Sequence, residues 1–309
     1  MSRTFTPALR TFARILALVL AGLADARAAV PAPLELPGIQ NAFRLTPRIL
    51  SGSQPEGEEG FAALARAGVK LIISVDGEKP RVELAGKQGL RYVHLPIGYD
   101  GISATRVIEL AKAAAPDAGK IFVHCHHGRH RGPAAAGVIC EAVAGWSPAQ
   151  AEAWLRQAGT GGDYPGLYRA VRDFVMPAAG QIAAIGPLPE TAKTPALVDA
   201  MVAMDGALDG LKEQLRRDWN AEDTPASRPS AHAALALTEQ IHELARTGEM
   251  ASRPEEFRRL LAETENSAAA LLRLAGGDGP STAEAVHSGL KRLMQSCAAC
   301  HKAYRNEKK

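Results

Sequence analysis

Between residues 36 and 176 the chain alternates between two hydrophobic rhythms. Short runs dense in β-branched residues, RILSG (48–52), VKLIISV (69–75), RYVHLPI (91–97) and KIFVHC (120–125), have the length and make-up of strands. Between and after them, EEGFAALARAG, ATRVIELAKAAA, PAAAGVICEAVAG and SPAQAEAWLRQAG repeat apolar residues at helical spacing. The last opens with Ser147 as N-cap and Pro148 at the first helical position. Strands taking turns with helices predict an α/β domain over 36–176, with a central, mostly parallel sheet and helices on both faces. Residues 177–193, PAAGQIAAIGPLPETAK, are rich in Pro, Gly and Ala and read as a linker. From residue 194 to 309 strand signals stop. Four stretches of about 20 residues carry helical periodicity, broken at AEDTPASRPS, ASRP and GGDGPS. They predict an all-α second domain, an antiparallel four-helix bundle.

Composition adds a leader and removes a charge. A length of 309 residues suits two domains, and 46% hydrophobic with 22% charged residues is ordinary for globular proteins. Scarce aromatics (5%) and abundant alanine favour small-residue helix packing over a β-sandwich. Residues 1–28 combine Arg3, Arg10 and Arg14, an apolar run from Ile15 to Leu23, and Ala26-Arg27-Ala28. That pattern is expected to be a cleaved signal peptide, the run being short for a membrane span, and it places the protein in a bacterial periplasm. Its removal takes four arginines and Asp25, which cancels the formal net charge of +3. A general nucleic-acid partner, or a membrane partner after cleavage, then has no electrostatic support.

Two motifs carry chemistry. CAACH (297–301) sets two thiols three residues apart with a histidine beside them. Cys297 and Cys300 can add to the two vinyl groups of one haem, with His301 as iron ligand. A redox dithiol would not need the histidine. The second motif is FVHCHHGRHRGP (122–133), where a strand leads into Cys125, a tight loop follows, and an alanine-rich helix leads out. Such a loop points backbone N–H groups inward and adds the positive end of a helix dipole, which suits an oxyanion and favours a thiolate. Arg131 would present a forked donor to two oxygens of that anion. The histidines also suggest zinc. In an anion-cradling loop, however, the neighbouring side chains of His126 and His127 are expected to diverge, which argues against a shared metal. Cys140 reads as a buried small hydrophobe.

The residues of the second motif resemble the protein tyrosine phosphatase signature H-C-x5-R, and the domain's small size resembles the dual-specificity branch. His124, Cys125, Gly128 and Arg131 match the signature over a region of about 38–176. The resemblance implies nucleophilic attack by Cys125 on phosphorus, phosphoryl binding by Arg131, orientation of the loop and tuning of the thiol by His124, and a thiophosphoryl intermediate hydrolysed by water. It implies a general-acid aspartate from a loop after an earlier strand. Asp100 in HLPIGYDGIS is the candidate, with Asp76 in SVDGE as reserve or simple turn residue. The family usually carries a hydroxyl residue after the arginine, where this chain has Gly132. His126, His127, Arg129 and His130 around the loop resemble phosphatases of inositol phosphates, implying a strongly anionic substrate. GTGGDYPGLYRAVRDF (159–174) reads as a turn and a core-packing helix, with a place for Tyr164 and Tyr168 on the pocket rim as the alternative.

The C-terminal motif, followed by Tyr304 and Arg305, resembles class II c-type cytochromes, the cytochrome c-prime family. The resemblance covers 194–309 and implies one covalent haem c with His301 as axial ligand. It allows Met201 or Met204 as a sixth ligand, though both also suit core filling. Together these readings predict a periplasmic phosphatase acting on phosphorylated proteins or small anions. Its haem domain would sense redox state or a gas, or exchange electrons with a redox partner, and the helices could form a homodimer. Two rivals remain at this level: a sensor cytochrome with a degenerate anion-binding phosphatase fold, and a protein carrying persulfide on Cys125.

Overall fold

The computed structural model describes residues 30–216, 229–276 and 282–305. The expected leader, 1–28, lies outside them. Six strands form one mixed sheet: β1 (Ala32–Pro33), β2 (Phe43–Arg44), β3 (Ile49–Ser53), β4 (Val69–Ser74), β5 (Arg91–His94) and β6 (Lys120–Cys125). Their order is β1-β2-β3-β6-β4-β5. β6 runs parallel between β3 and β4, with Cys125 opposite Ser53 and His124 opposite Ser74. The four strands expected from the sequence are therefore the parallel part. The antiparallel β1 and β2 are two-residue strands, too short to show any periodicity.

Strand alternation sorts side chains onto two faces. Ile121, Val123 and Cys125 enter one core with Leu71, Ile73 and Ile49. Phe122 enters the other, with Ile72, Leu50, Phe61 and Tyr92. Helices α3 (Ala104–Ala113), α4 (Arg131–Ala144), α5 (Pro148–Gln157) and α6 (Pro165–Arg172) cover the first face. The second is covered by α1 (Gly57–Arg66) and α2 (Val82–Lys87). Ser147 caps α5, as the sequence predicts, and forms a full capping box with Gln150. Trp154 on α5 is buried edge-to-face on Phe43, centroids 5.1 Å apart, and its Nε1 donates to Pro133 O at 3.0 Å.

The segment expected as a linker, 177–193, has structure of its own. It contains the short helix α7 (Ala179–Ala184) and then runs along β5. His94 N donates to Pro189 O at 2.9 Å, and Ala192 N donates to His94 Nδ1 at 3.0 Å. Its composition reads as a linker. Instead the segment covers the outer edge of the sheet, whose backbone groups would otherwise be unpaired.

The remainder is helical: α8 (Ala196–Arg216), α9 (Pro229–Ala245), α10 (Gly248–Ala251), α11 (Glu255–Gly276) and α12 (Ala283–Tyr304). The long helices pair in sequence, α8 on α9, α9 on α11 and α11 on α12, around Leu211, Ala234, Ile241, Leu271, Val286 and Leu293. One expected helix is split, because Thr247 caps the four-residue α10. No helix among the described residues is long and apolar enough to cross a membrane.

Helix α8 has two working faces. Leu197, Met201, Met204 and Leu208 pack on the helical core. Val198, Val202, Asp205 and Asp209, spaced as one helical stripe, face the sheet domain. A Cβ on Gly77 would lie 2.5 Å from Val198 Cγ1, so the helix rests directly on the turn after β4.

Truncating the buried Trp154 to Ala removes the edge-to-face contact and leaves Pro133 O without its donor. Chemical denaturation of this variant is expected to show a loss of ~3–5 kcal/mol in the sheet domain's unfolding transition.

Candidate active site

Cys125 ends β6 in the middle of the sheet, residues 126–130 form a tight loop, and α4 starts at Arg131. Residues distant in sequence shape this loop. Its carbonyls are held from outside: Gln54 N donates to His126 O (3.0 Å), Asn41 Nδ2 to Gly128 O (2.9 Å) and Thr160 Oγ1 to Arg129 O (2.7 Å). In a trans peptide the N–H points opposite to the C=O. The N–H groups of His127, Arg129 and His130 are thereby turned to the inner side, where an anion would sit. Gly128 has φ +67°, and a Cβ there would fall 2.3 Å from the backbone carbon of Gly52, so only glycine fits. Asn41 itself adopts φ +50°, and its amide also donates to Ala158 O at 2.9 Å. Nothing in the sequence pattern singled out Asn41, Gln54 or Thr160.

Asp76 is the main addition to the expected site. It is buried just beyond β4, and its Oδ2 accepts from Arg131 Nη2 (2.9 Å) and from His126 N (2.5 Å). Its Oδ1 accepts from Glu78 N at 3.0 Å. Burial alone would raise its pKa. The Arg131 guanidinium, the two backbone donors and His124 outweigh that and hold it below the usual carboxylate range. Asp76 is thus both the expected turn residue and the anchor of Arg131. An ionised carboxylate held this way has no proton to give, so it does not suit the reserve role of general acid.

Asp100 lies in the loop after β5, half-buried, with its backbone carbonyl accepting from Arg169 Nη2 at 3.5 Å. It lines a groove with Ile102, Val107, Arg169 and Phe174, and has no hydrogen bond or ion pair to Arg131. Its neighbour Tyr99 does reach the site, with its ring 4.8 Å from the Arg131 guanidinium carbon. Tyr164 and His130 lie beside it as tilted rings, 5.1 Å and 6.4 Å from Tyr99 and 4.5 Å from each other. Tyr164 therefore belongs to the rim. Tyr168 instead braces the wall, its hydroxyl donating to Thr160 O at 2.8 Å.

The histidines divide by environment. His124 projects from the face of β6 opposite Cys125, between Phe122 and Tyr92, with Nε2 2.7 Å from Tyr92 Oη. Burial drives its pKa down to about 4. It positions the base of the loop from behind the sheet. His130 is likewise pushed to about 4, by burial and then by Arg305. His127 is also lowered, by burial and then by His126. Only His126 is raised, to about 9, by its contact with Glu78. The expected basic ring is thus one charged imidazole beside neutral ones, and Arg129 faces solvent. The expected divergence of His126 and His127 is not found: their rings meet edge-to-face at 4.3 Å. Both side chains instead reach α8, where His126 Nε2 lies 3.5 Å from Asp209 Oδ2 and both imidazoles group with Asp205. A Cβ at Gly132 would lie 3.3 Å from Cys125 Sγ, which places this residue directly at the nucleophile. Cys140 is fully buried, and burial pushes its thiol pKa up.

The C-terminal motif lies on α12. Cys297 and Cys300 are free thiols, half-buried against the helical core alongside Met201 and Met204. Burial pushes His301 down to about 4, leaving a neutral imidazole that can act as a ligand. Two free thiols one turn apart on a single face, with a neutral imidazole next to them, form a donor set that fits covalent haem. Arg305, one turn beyond His301, lies 3.6 Å over the Tyr99 ring. Tyr99 is therefore held between Arg131 of the loop and Arg305 of the motif helix, a contact that no sequence spacing indicates.

No family model matches the chain. Over 123 residues it is 28% identical to the dual specificity protein phosphatase TpbA of Pseudomonas aeruginosa strain UCBPP-PA14, an alignment covering 39% of this chain and 56% of that protein. The chain thus spans about half the length of the curated relatives it matches. Among solved structures, P. aeruginosa TpbA aligns with TM-score 0.42 and 23% identity over 52% of this chain and 97% of that one. The core catalytic domain of the PP-IP phosphatase SIW14 from S. cerevisiae, in complex with citrate, aligns with TM-score 0.39 and 18% identity over 44% and 86%. The N-terminal region of this chain resembles the cysteine-dependent dual-specificity phosphatases.

Proposed function

We propose that the chain is a periplasmic phosphatase that cleaves phosphomonoesters through Cys125, joined to a four-helix haem-c domain. The observation that carries the phosphatase reading is the loop itself: a central-strand cysteine, inward amides and a buried arginine at the N-terminus of α4. In this reading the Cys125 thiolate attacks phosphorus and the bond to the leaving oxygen breaks. Arg131, kept in place by Asp76, and the N–H groups of the loop hold the non-bridging oxygens as charge develops on them. Asp100, one residue from Tyr99 at the rim, delivers a proton to the leaving oxygen once its side chain turns from the groove beside Arg169 toward the mouth. Water then attacks the thiophosphoryl group and releases phosphate. Gly132 puts no hydroxyl beside Sγ, so hydrolysis of the intermediate relies on the loop donors and ordered water.

Cys297 and Cys300 would hold the haem, His301 would serve as an iron ligand, and Met201 or Met204, on the core face of α8, would be candidates for a further ligand. Bound haem supplies a one-electron centre and an iron that can take a small gas. Arg305 and Tyr99 then connect its attachment helix to the catalytic guanidinium. The substrate class that suits the site is anionic, whether a phosphoprotein or a small polyphosphate, because Arg131, Arg305 and the α4 N-terminus converge on one mouth.

Two outcomes test the enzyme reading. In phosphate-release assays under reducing conditions, Cys125→Ser is expected to abolish activity. In the same assays Asp100→Asn should slow alkyl phosphates far more than aryl phosphates, whose leaving groups need less protonation. Loss of neither would remove support for the enzyme reading.

Asp76→Asn leaves Arg131 buried without its counter-charge and should cost about 3–5 kcal/mol at neutral pH. Because the carboxylate is held low in the fold, its contribution is present above about pH 4 and fades as pH falls further. The stability gap between wild type and variant should therefore close below pH 4 in thermal melts.

Cys297→Ser with Cys300→Ser should lose haem that survives denaturing electrophoresis. Arg305→Gln should keep that haem and abolish any difference in phosphate release between oxidised and reduced protein. A persisting difference in Arg305→Gln would refute the proposed connection.

A further inference from the structure

Next to the phosphate loop, on the side away from Tyr99, a second group of side chains comes together. One ring nitrogen each from His126 and His127 and a carboxylate oxygen of Asp205 lie within 4.8 Å of one another. Two come from the loop and one from α8, so the cluster spans the contact between the sheet domain and the helices. Around it stand Glu78, whose Oε2 is 3.6 Å from His126 Nδ1, and Asp209, whose Oδ2 is 3.5 Å from His126 Nε2. Among the described residues Asp205 makes no hydrogen bond or ion pair within salt-bridge distance. Asp209 is shared with Lys212 at 2.9 Å.

We propose that His126, His127 and Asp205 form a binding site for a divalent transition-metal ion, zinc being the best fit, that fastens α8 to the phosphate loop. The donor chemistry suits it, since two imidazoles and one carboxylate with an open fourth position are a recurrent zinc set. The surroundings suit it too. Glu78 stands against Nδ1 of His126, the arrangement by which a carboxylate orients a metal-bound histidine through its other ring nitrogen. Three carboxylates, Glu78, Asp205 and Asp209, meet there with Lys212 as the nearby ammonium, and a dication that takes the place of the proton on His126 offsets the remainder. In a tetrahedral zinc site donors lie roughly 3.3 Å apart, given bonds of about 2.0–2.1 Å. His127 and Asp205 are exposed, so side-chain rotation closes the gap without moving the backbone. This assignment does not depend on Cys125 being catalytic.

The test is zinc titration of the full chain by calorimetry, with bound metal counted by elemental analysis. The full chain is titrated as isolated, and the count is repeated in Cys297→Ser with Cys300→Ser to identify any zinc held by the thiols of α12. One zinc per chain is expected. Asp205→Ala and His127→Ala, both at exposed positions that tolerate truncation, should each abolish that site. Glu78→Gln should weaken it about tenfold. Absence of zinc binding would overturn the proposal. So would unchanged stoichiometry and affinity in both Asp205→Ala and His127→Ala, since the metal would then sit elsewhere. Circular dichroism of the variants distinguishes a lost site from a lost fold.

Discussion

The pairing of Asp76 with Arg131 is the interaction around which the site is arranged. It joins the C-terminal ends of two neighbouring parallel strands, because Asp76 follows β4 and Arg131 follows the loop that leaves β6. The same carboxylate takes the first amide of the loop, from His126. A buried charge pair contributes little net stability compared with an apolar alternative, but it strongly penalises the loss of either partner. Its value here is geometric. The guanidinium fork is fixed in one plane before any anion arrives, so less ordering remains to be done on binding.

Other elements carry the same logic outward. Asn41, Gln54 and Thr160 hold the loop by its carbonyls, which leaves the amides turned inward. Gly128 is forced by the closeness of Gly52 and Ser53 on β3. His124 supports the loop from the far side of the sheet, bonded to Tyr92. The cradle is therefore held by three strands and the start of α4, and little of that support is local in sequence.

Helix α8 gives the molecule its second level of organisation. One face closes on the helical core with the methionines, and the other lies on Gly77, His126 and His127. At the other end of the helical region, Arg305 stacks on Tyr99. The helical region thus touches the mouth and the loop at two places, one aromatic and cationic, the other built from imidazoles and carboxylates. Both places lie beside groups that touch Arg131 or its partner Asp76.

The sequence by itself determined what depends on neighbours along the chain. The parallel strands, the capped helices, the C-x5-R loop and the CxxCH turn were all legible, because each is set by periodicity or by spacing within one or two turns. Even the two faces of β6 follow from alternation. Tertiary structure decided the rest. It made Asp76 the anchor of Arg131, where the sequence offered it only as a turn or a reserve acid. It set Asp100 in a side groove and brought its neighbour Tyr99 to the mouth. It turned His126 and His127 toward the same helix, and docked the Pro-rich segment 177–193 onto β5. The reason is common to all of these. Each depends on groups some 30 to 200 residues apart meeting through the sheet order and the packing of α8, and neither periodicity nor composition contains that information.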